Sequence, residues 1–488
     1  MLSHPRCSID SQIAARSLPM VCALAMVYSM AGSAPAQSTP AQRPPNIVLI
    51  LADDLGYGDL GCYGQKRLAT PNIDRLAQQG MRLTQFYAGC TVCAPSRCVL
   101  MTGKHTGRCA IRGNSKESLS TDERVFTQDL SELGYRCGLI GKWGLGQAGS
   151  SGTPLNKGFH TFFGYLDQTH AHNFFPTFLD DHAGRWPLGN TVPGETETGA
   201  GVASIRRESA PDILLERALD FVRSQDSDPF FLFYSINLPH ANNEAKQKGT
   251  QEFGFGQYAD TSWPDAEKGF AHMVALLDTH VGRLVDAIDQ MGLGDNTLIL
   301  FSSDNGPHHE GGHNDRFFES SGAVRGSKRD LLEGGIRVPG IVRWTGRIEA
   351  GSVSDQLGAF DDVYPTLLEL AGRPYDSLHA ALPEGTGVSL LPTFLGKPSE
   401  QRQRPYLYWS FYESGMGQAV REGWWKAIEQ PLGTSVRLYR LDRDLREQHD
   451  LAATEPETLA RLTSHMRDAY RPGSEPWVLR AAPQKTPQ

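Results

Sequence analysis

One pattern constrains the fold more than any other: runs of apolar residues that stop abruptly on polar or ionisable ones. IVLILADD (47–54) is uninterrupted until its two acids. FFLFYSINLPH (230–240) and TLILFSSDNG (297–306) follow the same plan, and YRCGLIGKWG (135–144) is a shorter version. A strand with one wet face alternates apolar and polar residues, whereas a strand buried on both faces does not. These runs therefore predict the central strands of a mostly parallel sheet. Helical stretches lie between them. TPNIDRLAQQG (70–80) has Thr70 and Pro71 at its start and Gly80 at its stop, and FAHMVALLDTHVGRLVDAIDQMG (270–292) is long and amphipathic. The alternation implies an α/β fold, a large mixed, mostly parallel sheet sandwiched by helices. In such a fold ligand-binding groups gather beyond the carboxyl ends of the strands.

The pattern changes towards the C-terminus. YLYWSF (406–411), AVREGWWKAI (419–428) and VRLYRLD (436–442) are short, aromatic-rich strand candidates, followed by a helix near ETLARLTSHMRDAY (457–470). With 488 residues the chain exceeds what one core usually serves. The expected division is a large N-terminal domain over 37–395 and a smaller C-terminal α+β unit over 396–488 with a short antiparallel sheet. Two stretches read as loops: GNTVPGETETGAGVAS (189–204), a surface insertion, and LPEGTGVSLLPTFLGKPSEQRQRP (382–405), the connection.

Residues 1–36 read as a secretory signal. Arg6 and Arg16 precede the apolar run LPMVCALAMVYSMAG, and Ala34-Pro35-Ala36 suits a signal peptidase. No later segment reaches the roughly 18 to 20 apolar residues of a membrane span, so a secreted or periplasmic protein without stable membrane insertion is expected. The net charge of −8, with no block of Lys or Arg, argues against nucleic acid as a partner. Two of the eight cysteines fall in the signal. The remaining Cys62, Cys90, Cys93, Cys98, Cys109 and Cys137 are too few for a disulfide scaffold but compatible with one or two bridges.

Asp53-Asp54 and Asp304-Asn305 each sit at a predicted strand end. Oxygen-bearing side chains converging on one sheet edge make a hard-cation site, suited to calcium or magnesium rather than zinc. Either pair alone also suits ordinary turn chemistry.

Between the pairs lies CAPSRCVLMTG (93–103). Cys-x-Pro-Ser-Arg followed by Leu-x-Thr-Gly resembles the signature of type I sulfatases, and the likeness extends from NIVLILADDLGYGDLGCYG (46–64) to RLYRLDRDLREQHDLA (437–452). This resemblance implies an alkaline-phosphatase-like sheet and hydrolysis of sulfate monoesters. It also implies that Cys93 is oxidised during export, by a formylglycine-generating enzyme, to formylglycine, an aldehyde hydrated to a gem-diol. Position by position, Asp53, Asp54, Asp304 and Asn305 match the family's calcium ligands, with calcium preferred to magnesium. Cys93 matches the catalytic residue that also touches the metal, and Arg97 the arginine that holds the gem-diol. Lys142 (in GKWG) and Lys328 (in SKRDLLEGGIRVP) match the lysines that grip sulfate oxygens; each by itself would read as a surface residue. His240 (in LPHAN) matches the histidine near the leaving-group oxygen, a general acid or sulfate ligand. Conversion of Cys93 would leave five thiols, an odd number. Pro95 suits the first turn of a helix, which would set position 93 at a helix N-terminus where an anion is favoured.

One position departs from the family. Many members read Gly-Lys-Trp-His-Leu-Gly where this chain reads GKWGLG, so Gly144 stands in place of a histidine thought to deprotonate the second hydroxyl. GYLDQTHAHNFF (164–175) offers His172, and after it His170, as a substitute. The GKWGLG, AHN and DNGPHHEGGH stretches look like sulfatases of sulfated sugars, the expected substrate class. His308, His309, Glu310 and His313 would then face the sugar ring or simply close a loop over the metal. Two other readings compete: a phosphodiester or phosphonate hydrolase on the same fold, and a catalytically silent sugar-binding protein.

Overall fold

The computed structural model describes residues 43–194, 197–377, 385–413, 415–473 and 477–479. The expected signal (1–36), residues 195–196 of the first loop and 382–384 of the second lie outside them.

Ten strands form the main sheet: β1 (Asn46–Ala52), β2 (Met81–Leu83), β4 (Arg136–Lys142), β5 (Thr161–Tyr165), β6 (Phe178–Asp181), β7 (Gly184–Pro187), β8 (Phe230–Ser235), β9 (Thr297–Ser303), β10 (Gly340–Arg343) and β11 (Ser352–Ser354). Strand β3 (Phe86–Tyr87) pairs with β12 (Gly358–Ala359) in a small sheet of their own. The order in the main sheet is β11-β2-β10-β9-β1-β8-β4-β5-β6-β7. The five central strands β9-β1-β8-β4-β5 run parallel, and they are the four apolar runs predicted plus β5. Antiparallel strands flank them on both sides.

Along β1 successive side chains enter different cores. Ile47, Leu49 and Leu51 pack into one cluster and Val48, Ile50 and Ala52 into the other, which explains why the run never alternates. The first cluster holds α2 (Cys93–Thr102), α3 (Phe126–Glu132) and α6 (Val363–Leu370). The second holds α1 (Pro71–Gln79), α4 (Ala210–Arg223) and α5 (Asp265–Gln290). Helix α1 begins and ends on the predicted Pro71 and Gly80. The long helix begins at Asp265, five residues ahead of the predicted 270, because Asp265 and Glu267 suit the positive end of the helix.

Strands β13 (Leu407–Phe411), β14 (Gly417–Glu422), β15 (Trp425–Glu429) and β16 (Arg437–Arg440) form the expected small antiparallel sheet. One face carries α7 (Pro456–Ala469) through Leu462 and Met466. The other packs Trp409, Phe411 and Ile428 on Tyr87, Val92 and Ile336 of the larger layer. The bridges that the cysteine count allowed are not formed: all six described cysteines are free thiols. No helix among the described residues is long and apolar enough to cross a membrane.

Candidate active site

Every predicted apolar run delivers its polar end to the same edge of the sheet. Asp53 and Asp54 leave β1, Asp304 and Asn305 leave β9, Lys142 ends β4, and His240 follows β8. All six are buried. Asp54 has φ +65°, a left-handed conformation that Asp tolerates better than most residues with a Cβ, and its N–H donates to Asp304 Oδ1 at 3.1 Å. The turn therefore presents both Asp53 and Asp54 to one space.

Helix α2 supplies position 93. Val92 offers no side-chain cap, Pro95 is the third helical residue, and the Ala94 N–H donates to Asn114 Oδ1 at 3.0 Å. The whole helix is buried, so Cys93 sits at a helix N-terminus inside the protein, Sγ 3.6 Å from Asp53 Oδ1. Burial, with Asp304 and Asp53 nearby, pushes its thiol well above the usual range despite Lys142. A thiol so placed stays protonated and is a poor nucleophile.

Arg97, one turn along α2, is held by four hydrogen bonds to three partners. Its Nε and Nη2 donate to Asp304 Oδ2 at 3.0 and 2.9 Å, and Nη1 donates to the Lys142 carbonyl at 2.9 Å and to Ser235 Oγ at 2.5 Å. Lys142 Nζ lies 2.6 Å from Asp53 Oδ2, and Lys328 Nζ 2.8 Å from Asp54 Oδ2. Burial is the largest influence and opposes charge on both lysines, but the negative neighbours together, Asp53 foremost for Lys142 and Asp54 for Lys328, hold the pKa values raised. The reciprocal effect depresses Asp53 and Asp54 against their own burial. Asp304 is different: burial and the neighbouring Asp53 push it up to about 7 in spite of Arg97.

His240 Nε2 is 3.3 Å from Lys328 Nζ and 3.3 Å from Asp54, while Nδ1 donates to the Ala241 carbonyl at 2.6 Å. That bond leaves Nε2 as the acceptor. Burial, assisted by Lys328, lowers its pKa to about 3 against the pull of Asp54, so the ring is neutral. His172 stacks on it with centroids 4.6 Å apart and 13° between planes, its Nδ1 3.3 Å from Glu244 Oε1. The His308 ring also lies near it, with centroids 6.2 Å apart. Glu310 accepts from Lys328 at 3.1 Å and Arg329 at 2.6 Å.

The remaining candidates lie elsewhere. His170 is turned into packing, Nε2 3.0 Å from the Phe178 carbonyl. His313 stacks on Phe270 at 3.8 Å and bonds Glu267. His309 is exposed on the wall of a neighbouring groove with Arg316 and Arg325. Ser235, Asn114 and Glu244 join the site without having been singled out by any motif. Ser235 alone left a trace, as the polar end of FFLFYS.

The donors suit a hard cation. Three carboxylates and Asn305 supply oxygen, and Asn305 Oδ1 is buried with no hydrogen-bond partner among the described residues, while its Nδ2 donates to Asp54 at 2.7 Å and to the Gly306 carbonyl at 2.9 Å. Asp53, Asp54, Cys93 and His240 bring potential ligand atoms within 4.8 Å of one another. Three carboxylates already face three cations, Arg97, Lys142 and Lys328. A divalent ion would make this pocket positive and ready for an anion.

A model of the sulfatase family matches residues 45–373. Arylsulfatase A of Homo sapiens is 34% identical over 474 residues, covering 91% of this chain and 87% of its own length. N-acetylgalactosamine-6-sulfatase of Canis lupus familiaris is 32% identical over 430 residues, covering 83% and 74%. The crystal structure of Ps i-CgsB in complex with k-i-k-neocarrahexaose has a TM-score of 0.72 at 27% identity, over 87% of this chain and 92% of that one.

Proposed function

Because the chain belongs to the sulfatase family, we propose that it is an exported, calcium-dependent sulfuric ester hydrolase that acts on sulfated saccharides through a formylglycine made from Cys93. The observation that carries this reading is the pairing of one oxygen-ligand cluster, Asp53, Asp54, Asp304 and Asn305, with three buried cations around a buried position 93. The burial that raises the Cys93 thiol fits a precursor better than a free nucleophile. A formylglycine at position 93 would supply the attacking hydroxyl, and a calcium ion held by the four ligands would neutralise sulfate oxygens.

The chain's own groups do the rest. Arg97 cannot swing, being bonded to Asp304, Ser235 and the Lys142 carbonyl, and so orients position 93. Lys142 and Lys328 hold sulfate oxygens as charge builds on them. His240, neutral with Nε2 accepting from Lys328, serves either as a sulfate ligand or as a general acid that first takes a proton from Lys328 Nζ and then gives it to the leaving oxygen. His172 is the titratable neighbour that would accept the proton assigned in other members to the histidine missing at Gly144. The sugar class is supported by the N-acetylgalactosamine-6-sulfatase relative and by the neocarrahexaose complex of the structural neighbour. Glu310 and His309, beyond Lys328, are the residues we assign to sugar hydroxyls.

Peptide mass spectrometry across residue 93, on protein from its own host, should show a loss of roughly 18 Da relative to the thiol. The same protein should hydrolyse an aryl sulfate, lose activity to a chelator and regain it with calcium ahead of magnesium. An unmodified Cys93 in active protein would remove the formylglycine step. Sugar binding without turnover by modified protein would return the chain to the silent-binder reading.

A further inference from the structure

At the end of β4 the backbone and a neighbouring side chain are fitted to each other. Gly144 has φ +76°, where a residue with a Cβ is strained. A Cβ there would lie 2.0 Å from Gln168 Nε2 and 2.8 Å from its amide carbon. The Gln168 side chain therefore fills the volume that any larger residue at 144 would claim. Yet neither polar atom of this carboxamide has a hydrogen-bond partner among the described residues, although both are buried. A buried amide with donor and acceptor both idle is uncommon, and such a group calls for an explanation, a role toward a bound molecule among them.

Its surroundings indicate what that is. Lys142, two residues before Gly144, has its Nζ 2.6 Å from Asp53. Residues 167–172 form a helical turn, with the Ala171 N–H bonded to the Asp167 carbonyl at 3.3 Å and that of His172 to Thr169 at 3.2 Å. Gln168 and His172 therefore belong to the same short turn. His172 stacks on His240, which is 3.3 Å from Lys328 Nζ. The carboxamide of Gln168 thus packs on the segment that follows Lys142, and its own turn carries His172.

We propose that Gln168 is a substrate-contacting residue, its Nε2 donating a hydrogen bond to an oxygen of the sulfate ester, in the space that Gly144 leaves open. This rests on the sulfatase reading of the site. A carboxamide exchanges no proton near neutral pH. Gln168 therefore binds and orients the anion and adds no ionisation to the pH–rate profile.

The test compares wild type with Gln168→Met, of similar volume without the amide, and Gln168→Glu, of the same shape with an opposing charge. Both are assayed with calcium present for turnover of an aryl sulfate, and, in a Cys93→Ala background, for binding of inorganic sulfate by calorimetry. Melting temperatures check folding. We expect kcat/KM and sulfate affinity to fall together, roughly ten- to a hundredfold in Gln168→Met with the shape of its pH profile unchanged, and further in Gln168→Glu. A merely space-filling glutamine would be replaced by methionine without loss. Sulfate affinity and kcat/KM within twofold of wild type in a folded Gln168→Met protein would overturn the proposal and leave the sulfatase reading standing. If wild type binds sulfate but turns over no sulfate ester, weakened binding in the variants supports Gln168 as an anion ligand while the hydrolase reading falls. No sulfate binding by wild type overturns both.

Discussion

At the scale of single residues, the site works by opposing charges that cannot escape one another. Lys328 touches Asp54, Glu310 and His240 at once, so its removal takes a donor from the anion pocket and releases two carboxylates into it. We predict that Lys328→Ala lowers kcat/KM for an aryl sulfate by about 10² to 10³, measured beside a melting curve that reports folding. The strand-end residues were legible because polar groups that terminate a doubly buried strand must face a common edge. The histidines were not. His170 and His172 are two residues apart, and one short turn sends the first onto Phe178 and the second onto His240. Nothing local distinguishes them. Gln168 left no trace either, since what singles it out is the absence of a side chain at Gly144, 24 positions earlier.

At the scale of elements, α2 matters most, because it sets where position 93 begins. Its far end closes on Gly103 with φ +67°, and a Cβ there would meet Tyr364 of α6 at 2.9 Å. Gly103→Ala combines left-handed strain with a collision in a packed core. We expect a loss of ~2 kcal/mol or more, seen as a lower urea midpoint at unchanged slope. The strand periods were readable, but their neighbours were not. β10 inserts antiparallel between β9 and β2, a choice made by distant hydrogen bonds that apolar content does not record.

At the scale of the whole molecule, a buried ionic network ties the small antiparallel sheet to strand β3 and to the 333–337 segment of the larger domain. Lys426 of β15 reaches Glu333 and Glu447, both at 2.9 Å, and Glu333 also bonds Arg337 at 2.8 Å and Tyr87 at 2.5 Å. Lys426→Met would leave Glu447 buried without a cation, while Glu333 keeps Arg337. We predict a loss of about 3 to 5 kcal/mol, partly restored by adding Glu447→Gln, in thermal unfolding of the two variants. His105 joins the same two layers, its Nδ1 accepting from Gly107 at 3.1 Å and its ring 5.1 Å from Tyr408 of β13. Burial lowers its pKa from 6.5 to about 3. Below pH 6.5 the unfolded chain binds this proton and the folded one does not. The stability it confers is therefore complete above pH 6.5 and is lost as pH falls towards 3, by up to ~1.4 kcal/mol per unit. His105→Gln should flatten stability across that window in denaturant titrations at stepped pH.

The complete burial of α2 also sets a clock. The helix packs on Phe360, Tyr364 and Leu367, which the ribosome adds more than 260 residues after Cys93. At 5 to 20 residues per second that leaves on the order of ten to fifty seconds in which position 93 is still reachable from outside. Any enzyme that converts this cysteine must meet the chain during that interval or during an equally unfolded passage across a membrane. A molecule that folds first carries its thiol sealed inside for as long as it stays folded.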